Sequence, residues 1–496
     1  MSVSDPVTMS GSVDPDLRKA LDAAAGIVGE GRVHARPDDS ALDVGPNSGL
    51  FRQRDVSGII RPRTAEEVRQ VVEVFGQSVG AGSLHPLSTG RNWGLGSKEP
   101  AVDGAIVLDL SDLKAVRDID IDAGWAVIEP GVSQGHMSEL LDGTTRMINV
   151  TVSSAHSSVV GNVLDRGVGL RHQRVEDVVG LEVVLPNGEL LHVGWWPEEN
   201  RETAVYAHGL GPSVLPLFTQ SNLGVVTAAA IRLLPRPEAL RVVRLTFNED
   251  NLGGAIGELR RWRHQGLVSG VMKVYNPAAA RGYGITNGDY LAHVCVDGTA
   301  AAVEALTTVI VAEAQGADVF HEISATDATD PTAEHHDVGV SVERAYWGDP
   351  DITDTLFENK IGTTAAELDG GIGFLFFLPL VPFTSKAQVA ADGFVRQVVD
   401  RTGVRCGATL NVIGDDLVDY VVSIKFDRET EADAAHRALE LLYGLFTPAG
   451  FLPYRLDVDH ADRIDDLSPD AATRAFVRRL KDHIDPQQAI APGRYR

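Results

Sequence analysis

The chain has 496 residues, 44% of them hydrophobic and 23% charged, with a formal net charge of −25 at pH 7. That length allows two or three domains with large cores, and the acidic balance opposes binding to phosphate backbones or anionic membrane surfaces. Nucleic acid and membrane are therefore excluded as expected partners.

In chain order, residues 1–20 lack the basic and apolar regions of a signal peptide and read as a flexible tail. Residues 64–79 place Val68, Val71, Val72 and Phe75 at helical spacing, with Thr64 and Glu67 in capping-box positions. Apolar runs up to about residue 236 then read as strands punctuated by turns such as Pro186-Asn187-Gly188. Residues 235–240 form a plausible linker. From roughly 240 to 450, four amphipathic stretches alternate with strands, as in a sheet covered by helices on one face. The richest apolar run, 371–383, is too short for a membrane helix, is broken by proline, and reads as a buried strand. The last 46 residues return to Gly, Pro and polar residues. The two cysteines, Cys295 and Cys406, lie far apart without metal-ligand spacing, so no metal is expected and a reducing cytoplasm is the plain location.

Four turns depart from ordinary loop chemistry. The first, "LSTGRNWGLGSKEP" (87–100), has glycines at 90, 94 and 96 that allow sharp turning and close approach by another molecule. Its backbone N–H groups suit an anion nest, and a solvent-exposed tight turn is the competing reading. It is neither a dinucleotide fingerprint nor a Walker loop, because the third glycine and the Gly-Lys-Ser/Thr element are missing. The others are "VIEPGVSQGHMSELL" (127–141), with a helix expected near Gln134, "SSAHSSVVGNVLDRGVG" (153–169) and "GPSVLPLFTQSNLGVVTAAAIRLLP" (211–235). Together they suggest a long, flat, anionic ligand along the N-terminal half.

With "EVVLPNGELL" and the terminal "IAPGR", these segments resemble the vanillyl-alcohol oxidase and p-cresol methylhydroxylase family of FAD-linked oxidases. The resemblance covers most of residues 55–236 and 450–496. It implies an α+β fold with a discontinuous FAD-binding domain of two α+β subdomains (21–236 and 451–496) around a central α+β cap (237–450). Ser88, Thr89, Gly90, Arg91 and Asn92 would hold the FAD diphosphate. Pro130, Gly131 and Val132 would lie near the flavin or adenine. Gly161, Asn162, Arg166 and Gly167 would line the cofactor, followed by Glu182, Asn222, Gly224 and Val226; for Glu182 and Val226 ordinary strand positions are the alternative. Tyr454, Arg455 and Arg494 would bind a phenolate, a carboxylate or the reduced flavin edge, with a surface ion pair the alternative for Arg455.

The departures bear on chemistry. Leu95 stands where the 4-alkylphenol oxidisers of the family carry a Tyr, and Ser153 where they carry an Asp base. The two family positions for a covalent flavin link hold Phe374 and Asn92, which implies dissociable FAD. His85, His136 and His156 are alternative tethers, weighed against structural histidines. Asp419 and Tyr420 occupy the strand position of a family histidine pair and are the leading candidates for the base. His156, Asp457 and His460 are weaker ones. The expected activity is hydride transfer from a small to medium organic substrate, at a C–H beside O or N, to FAD with reoxidation by O2. The alternatives are a protein acceptor such as a cytochrome, or a flavin-binding protein without oxidation activity. A homodimer is the family's usual assembly.

Overall fold

The computed structural model describes residues 14–35, 42, 44–199, 201–327, 338–468 and 470–495. The expected tail is corrected at its end: residues 1–13 lie outside the described residues, but Pro15–Val28 is a helix. Asp14 caps it, Pro15 suits its first turn, and Ala20, Leu21, Ala24 and Val28 bury one face.

Helix Ala65–Gln77 follows its pattern closely. Thr64 accepts a bond from the Glu67 N–H at 3.1 Å, and Glu67 accepts one from the Arg63 N–H at 2.6 Å. Val68, Val71, Val72 and Phe75 are all 0% exposed, a burial worth about 1.5–3 kcal/mol for each such side chain. They pack over a four-stranded sheet ordered Val33–Ala35, Val56–Ile60, Ala105–Asp109, Leu84–Leu87. The first loop leaves this sheet at Leu87. The C-terminal segment returns to the same edge, where the Leu84 N–H donates to the Ala489 carbonyl and the Ala491 N–H to that of Leu84.

A five-stranded antiparallel sheet carries the next loops, in the order Val116–Asp120, Trp125–Ile128, Val225–Arg232, Val178–Val184, Leu190–Gly194. Helix Gln134–Leu140 starts where the sequence placed it, capped by Ser133.

The third sheet has eight strands. Its main path runs Glu322–Ala325, Ala239–Phe247, Tyr290–Gly298, Ser269–Tyr275, Arg405–Val412, Leu417–Phe426, Gly373–Phe377, and Leu380–Pro382 also pairs with Leu417–Phe426. Helices Leu252–His264, Ala300–Gly316, Ser385–Thr402 and Ala432–Phe446 cover one face, as expected. Residues 371–383 are the buried strands anticipated, with Phe374, Leu375, Val381 and Phe383 fully buried. Strands Ser269–Tyr275, Tyr290–Gly298 and Arg405–Val412, and helix Ala471–Ile484, were not anticipated. Among the described residues, no helix is long and apolar enough to cross a membrane.

Candidate active site

One large cavity lies between the small-residue loops and the uncovered face of the eight-stranded sheet, with about 2030 Å³ of empty space counted with its mouth.

The loop end is built from short, polar residues. Ser88, Thr89, Gly90, Arg91 and Asn92 all face the cavity, as do Pro130, Gly161, Asn162, Gly224, Val226 and Arg494. Gly90 adopts φ +65°, a left-handed conformation that disfavours a side chain. Three loops are stitched together: Thr89 Oγ1 accepts from the Ser158 N–H at 3.1 Å, and Ser158 Oγ donates to the Pro130 carbonyl at 2.6 Å. A Cβ on Gly161 would meet Ser88 Oγ at 2.6 Å, so only glycine lets the loops approach this closely. Asn162 Oδ1 is buried there without a hydrogen-bond partner. Small residues, glycine-limited approach and an unsatisfied buried acceptor fit a ligand such as the FAD diphosphate and its neighbouring sugars.

Six residues expected along the cofactor, and one base candidate, stand behind the wall. Gly131 and Val132 are packed in: a Cβ on Gly131 would meet the Ser111 carbonyl at 2.4 Å, and Val132 is 0% exposed. Arg166 donates to Thr219 Oγ1, and Gly167 abuts Asn162. Glu182 is occupied by Arg117 at 2.8 Å and Thr227 Oγ1 at 2.6 Å. Asn222 donates to the Ala491 carbonyl and so ties down the C-terminal segment. Tyr420 is the base candidate.

Tyr420 is displaced by strand geometry. Successive side chains in a strand point to opposite faces. Val418, Tyr420, Val422 and Ile424 pack under the covering helices, while Asp419 and Val421 face the cavity. Asp419 and Tyr420 therefore cannot act together.

The same alternation supplies a polar row that sequence reasoning missed. Met272 and Val274 point to the helices, Lys273 and Tyr275 to the cavity; Leu410 and Val412 to the helices, Thr409 and Asn411 to the cavity. Lys273, Asn411 and Asp419 lie opposite one another across three strands. Lys273 Nζ donates to Asn411 Oδ1 at 2.6 Å, and Asn411 Nδ2 to Asp419 Oδ2 at 3.0 Å. Asp419 Oδ1 and Thr409 Oγ1 are buried without partners. Burial pushes the Asp419 carboxyl up to about 6 and the Lys273 ammonium down to about 8. Lys360, from helix Pro350–Ile361, joins this wall with Phe357, and burial with the nearby charge of Lys273 brings it down to about 7. A lone lysine in the apolar strand "SGVMKVY" was the available signal for Lys273.

Tyr454 and Arg455 both reach the cavity. The Arg455 guanidinium is already paired with Asp165, which also accepts from Asn92 Nδ2 at 2.8 Å and the Tyr495 hydroxyl at 3.0 Å. Burial raises the Tyr454 hydroxyl well above its ordinary value, so it stays protonated. Ser153 faces the cavity, hydrogen-bonded to Ser157. Among the weaker base candidates, Asp457 and His460 bond each other at 2.8 Å away from the cavity, and His156 is exposed. His136 is exposed as well, and Phe374 is buried behind the wall, with Phe376 in front of it. His85 is the histidine on the wall among the described residues; burial pushes it down to about 4, and its Nε2 lies 3.2 Å from the Ser97 carbonyl.

An FAD binding domain matches residues 56–194. The chain is 28% identical to 1'-carboxy-chondrochloren decarboxylase of Chondromyces crocatus, over 97% of both chains. It is 24% identical to the flavoprotein subunit of 4-cresol dehydrogenase [hydroxylating] of Pseudomonas putida, over 88% of this chain and 87% of that one. A crystal structure of p-cresol methylhydroxylase with substrate bound superposes with TM-score 0.85 at 20% identity, over 98% of this chain and 97% of the other. The chain is similar over nearly its whole length to FAD-linked oxidases of the p-cresol methylhydroxylase type, as its motifs suggested. The chain is an FAD-dependent oxidoreductase with the α+β fold expected, and FAD is its cofactor.

Proposed function

We propose that this FAD-linked oxidoreductase removes a hydride from a carbon beside oxygen or nitrogen in a small to medium organic substrate, and that O2 reoxidises a dissociable FAD. Ser88, Thr89, Gly90, Arg91 and Asn92 would hold the diphosphate, with Gly161, Asn162, Gly224, Val226 and Arg494 along the cofactor. Bound there, FAD supplies the two-electron acceptor that no side chain of this wall provides.

The observation that carries the reading is one continuous cavity with glycine-limited loops at one end and a buried carboxylate, two lysines and a tyrosine at the other. Asp419 serves as the base. Its free Oδ1 and its position near neutrality suit it to take a proton from the substrate O–H or N–H. Tyr454 donates a hydrogen bond to substrate. Arg455, neutralised by Asp165, contributes N–H donors and orientation and not a free positive charge. Two names among the relatives bear on the substrate. One relative acts on 4-cresol, and the name of another, aligned over 97% of both chains, describes loss of a carboxyl group, which favours an acid-bearing substrate. Dissociable FAD is supported by Asn92, whose amide is no nucleophile for a flavin link and also bonds Asp165, and by His85, whose Nε2 faces Ser97.

The test is anaerobic mixing of the flavin-loaded protein with candidate substrates while the oxidised-flavin absorbance is followed. The expected result is bleaching with a substrate and recovery in air, slowed about 10²–10⁴-fold in Asp419→Asn with FAD still bound. Undiminished bleaching in that variant removes Asp419 as the base. Bleaching that air does not reverse shifts the acceptor from O2 to a protein.

A further inference from the structure

The row Lys273, Asn411, Asp419 and the facing Lys360 outnumber what proton removal needs. Lysine is among the side chains least often buried, and two on one cavity wall call for a counter-charge. Lys273 is 8% exposed and its Nζ bonds to the neutral Asn411 amide, while no hydrogen bond or ion pair is formed by Lys360 among the described residues. Each feels the charge of Asp419, and Lys360 is also opposed by Lys273 and by Lys425 outside the wall. Arg455, a further cation on the wall that acts on Asp419, is cancelled by Asp165. Two ammoniums and one carboxylate therefore leave this end of the cavity with a surplus of one positive charge when all three are ionised.

We infer that Lys273 and Lys360, with the Thr409 hydroxyl, form a subsite for a carboxylate carried by the substrate. The inference rests on the proposed reading of the cavity as the oxidation site. A carboxylate suits the donors better than a phenolate, because it offers two oxygens and about four lone-pair directions to two ammoniums and a hydroxyl. A monoanion also matches the surplus charge, whereas a phosphate dianion would exceed it. Both lysines are depressed because desolvation outweighs the attraction of Asp419, and for Lys360 neighbouring lysines add to it; an arriving carboxylate supplies the further negative charge. Asp419 does not defeat the arrangement, since one of its oxygens is held by Asn411 and it lies one strand beyond that residue from Lys273. The subsite thus specifies where the acid group of the substrate sits, next to the base.

The test uses the FAD-loaded protein, reduced under nitrogen so that nothing is turned over, and isothermal titration calorimetry. The probes are 4-cresol and its carboxylated relatives 4-hydroxyphenylacetate and 3-(4-hydroxyphenyl)propanoate, which present the acid at two reaches. The tighter of the two acids is expected to bind at least about tenfold more tightly than 4-cresol, a difference of about 1.4 kcal/mol. Lys360→Met should abolish that preference and leave 4-cresol affinity unchanged, with Lys360→Arg restoring part of it. Because Lys360 makes no hydrogen bond, this variant keeps the fold even if Lys273→Met does not. Equal affinity for acids and cresol, or a preference retained in Lys360→Met, overturns the subsite alone. A protein that takes up no FAD overturns the reading of the cavity as well.

Discussion

Asp165 and Asp419 show how much of the site depends on single carboxylates. Asp165 lies inside the quoted segment "VVGNVLDRGVG", yet its role was invisible there, because Arg455, Asn92 and Tyr495 reach it from sequence distances of 290, 73 and 330 residues. Asp419 was legible as a candidate, but its partners were not, since strand pairing alone brings Lys273 and Asn411 beside it. Its raised value has a consequence for stability. A carboxyl raised from 3.8 to about 6 by burial favours folding only while protonated, so its contribution is complete below about pH 4 and is lost as pH rises through 6. Two units correspond to roughly 3 kcal/mol. Asp419→Asn should therefore melt at a higher temperature than the parent at pH 7.5, with the gap shrinking toward pH 5, while losing activity. A gap that stays constant with pH would show that Asp419 does not titrate in this range.

At the scale of elements, amphipathic patterns were read well. Helix Ala65–Gln77, strand Ala239–Phe247 and the four covering helices stand where apolar spacing placed them. Two of the strands that were missed, Ser269–Tyr275 and Arg405–Val412, carry polar residues on the cavity face and lack the clean pattern of a strand packed on both sides. Tyr420, named beside Asp419 as a candidate base, points away from the cavity for a simpler reason: neighbours on a strand face opposite ways. The loops make a sharper prediction. Gly161→Ala places a methyl group against Ser88 Oγ and Ser158 Oγ and should separate those two loops. FAD affinity is expected to fall at least about tenfold, read by recovery of flavin fluorescence on dilution, in a protein with unchanged circular dichroism. Unchanged affinity would mean that this junction does not touch the cofactor.

Across the whole molecule, the C-terminal segment closes the architecture. Lys481 and Asp485 form a fully buried pair at 2.6 Å; Lys481 also donates to the Asn222 and Ile490 carbonyls, and Asp485 accepts from the N–H groups of Ala489 and Ile490. This latch sets Ala491, Arg494 and Tyr495 on the cavity wall. Removing one partner leaves the other charge buried, a cost of about 3–5 kcal/mol. Lys481→Met should lower the melting temperature by several degrees and weaken FAD retention together; a drop in stability with normal retention would detach the latch from the site. The terminal "IAPGR" was legible as a motif, but the helix and ion pair that hold it were hidden in a stretch that reads as polar. If the FAD of this cavity is dissociable, acid precipitation of the purified yellow protein releases it. Flavin absorbance recovered in the supernatant is the predicted result. Colour retained in the pellet would contradict it and point to a covalent link through a residue of this wall.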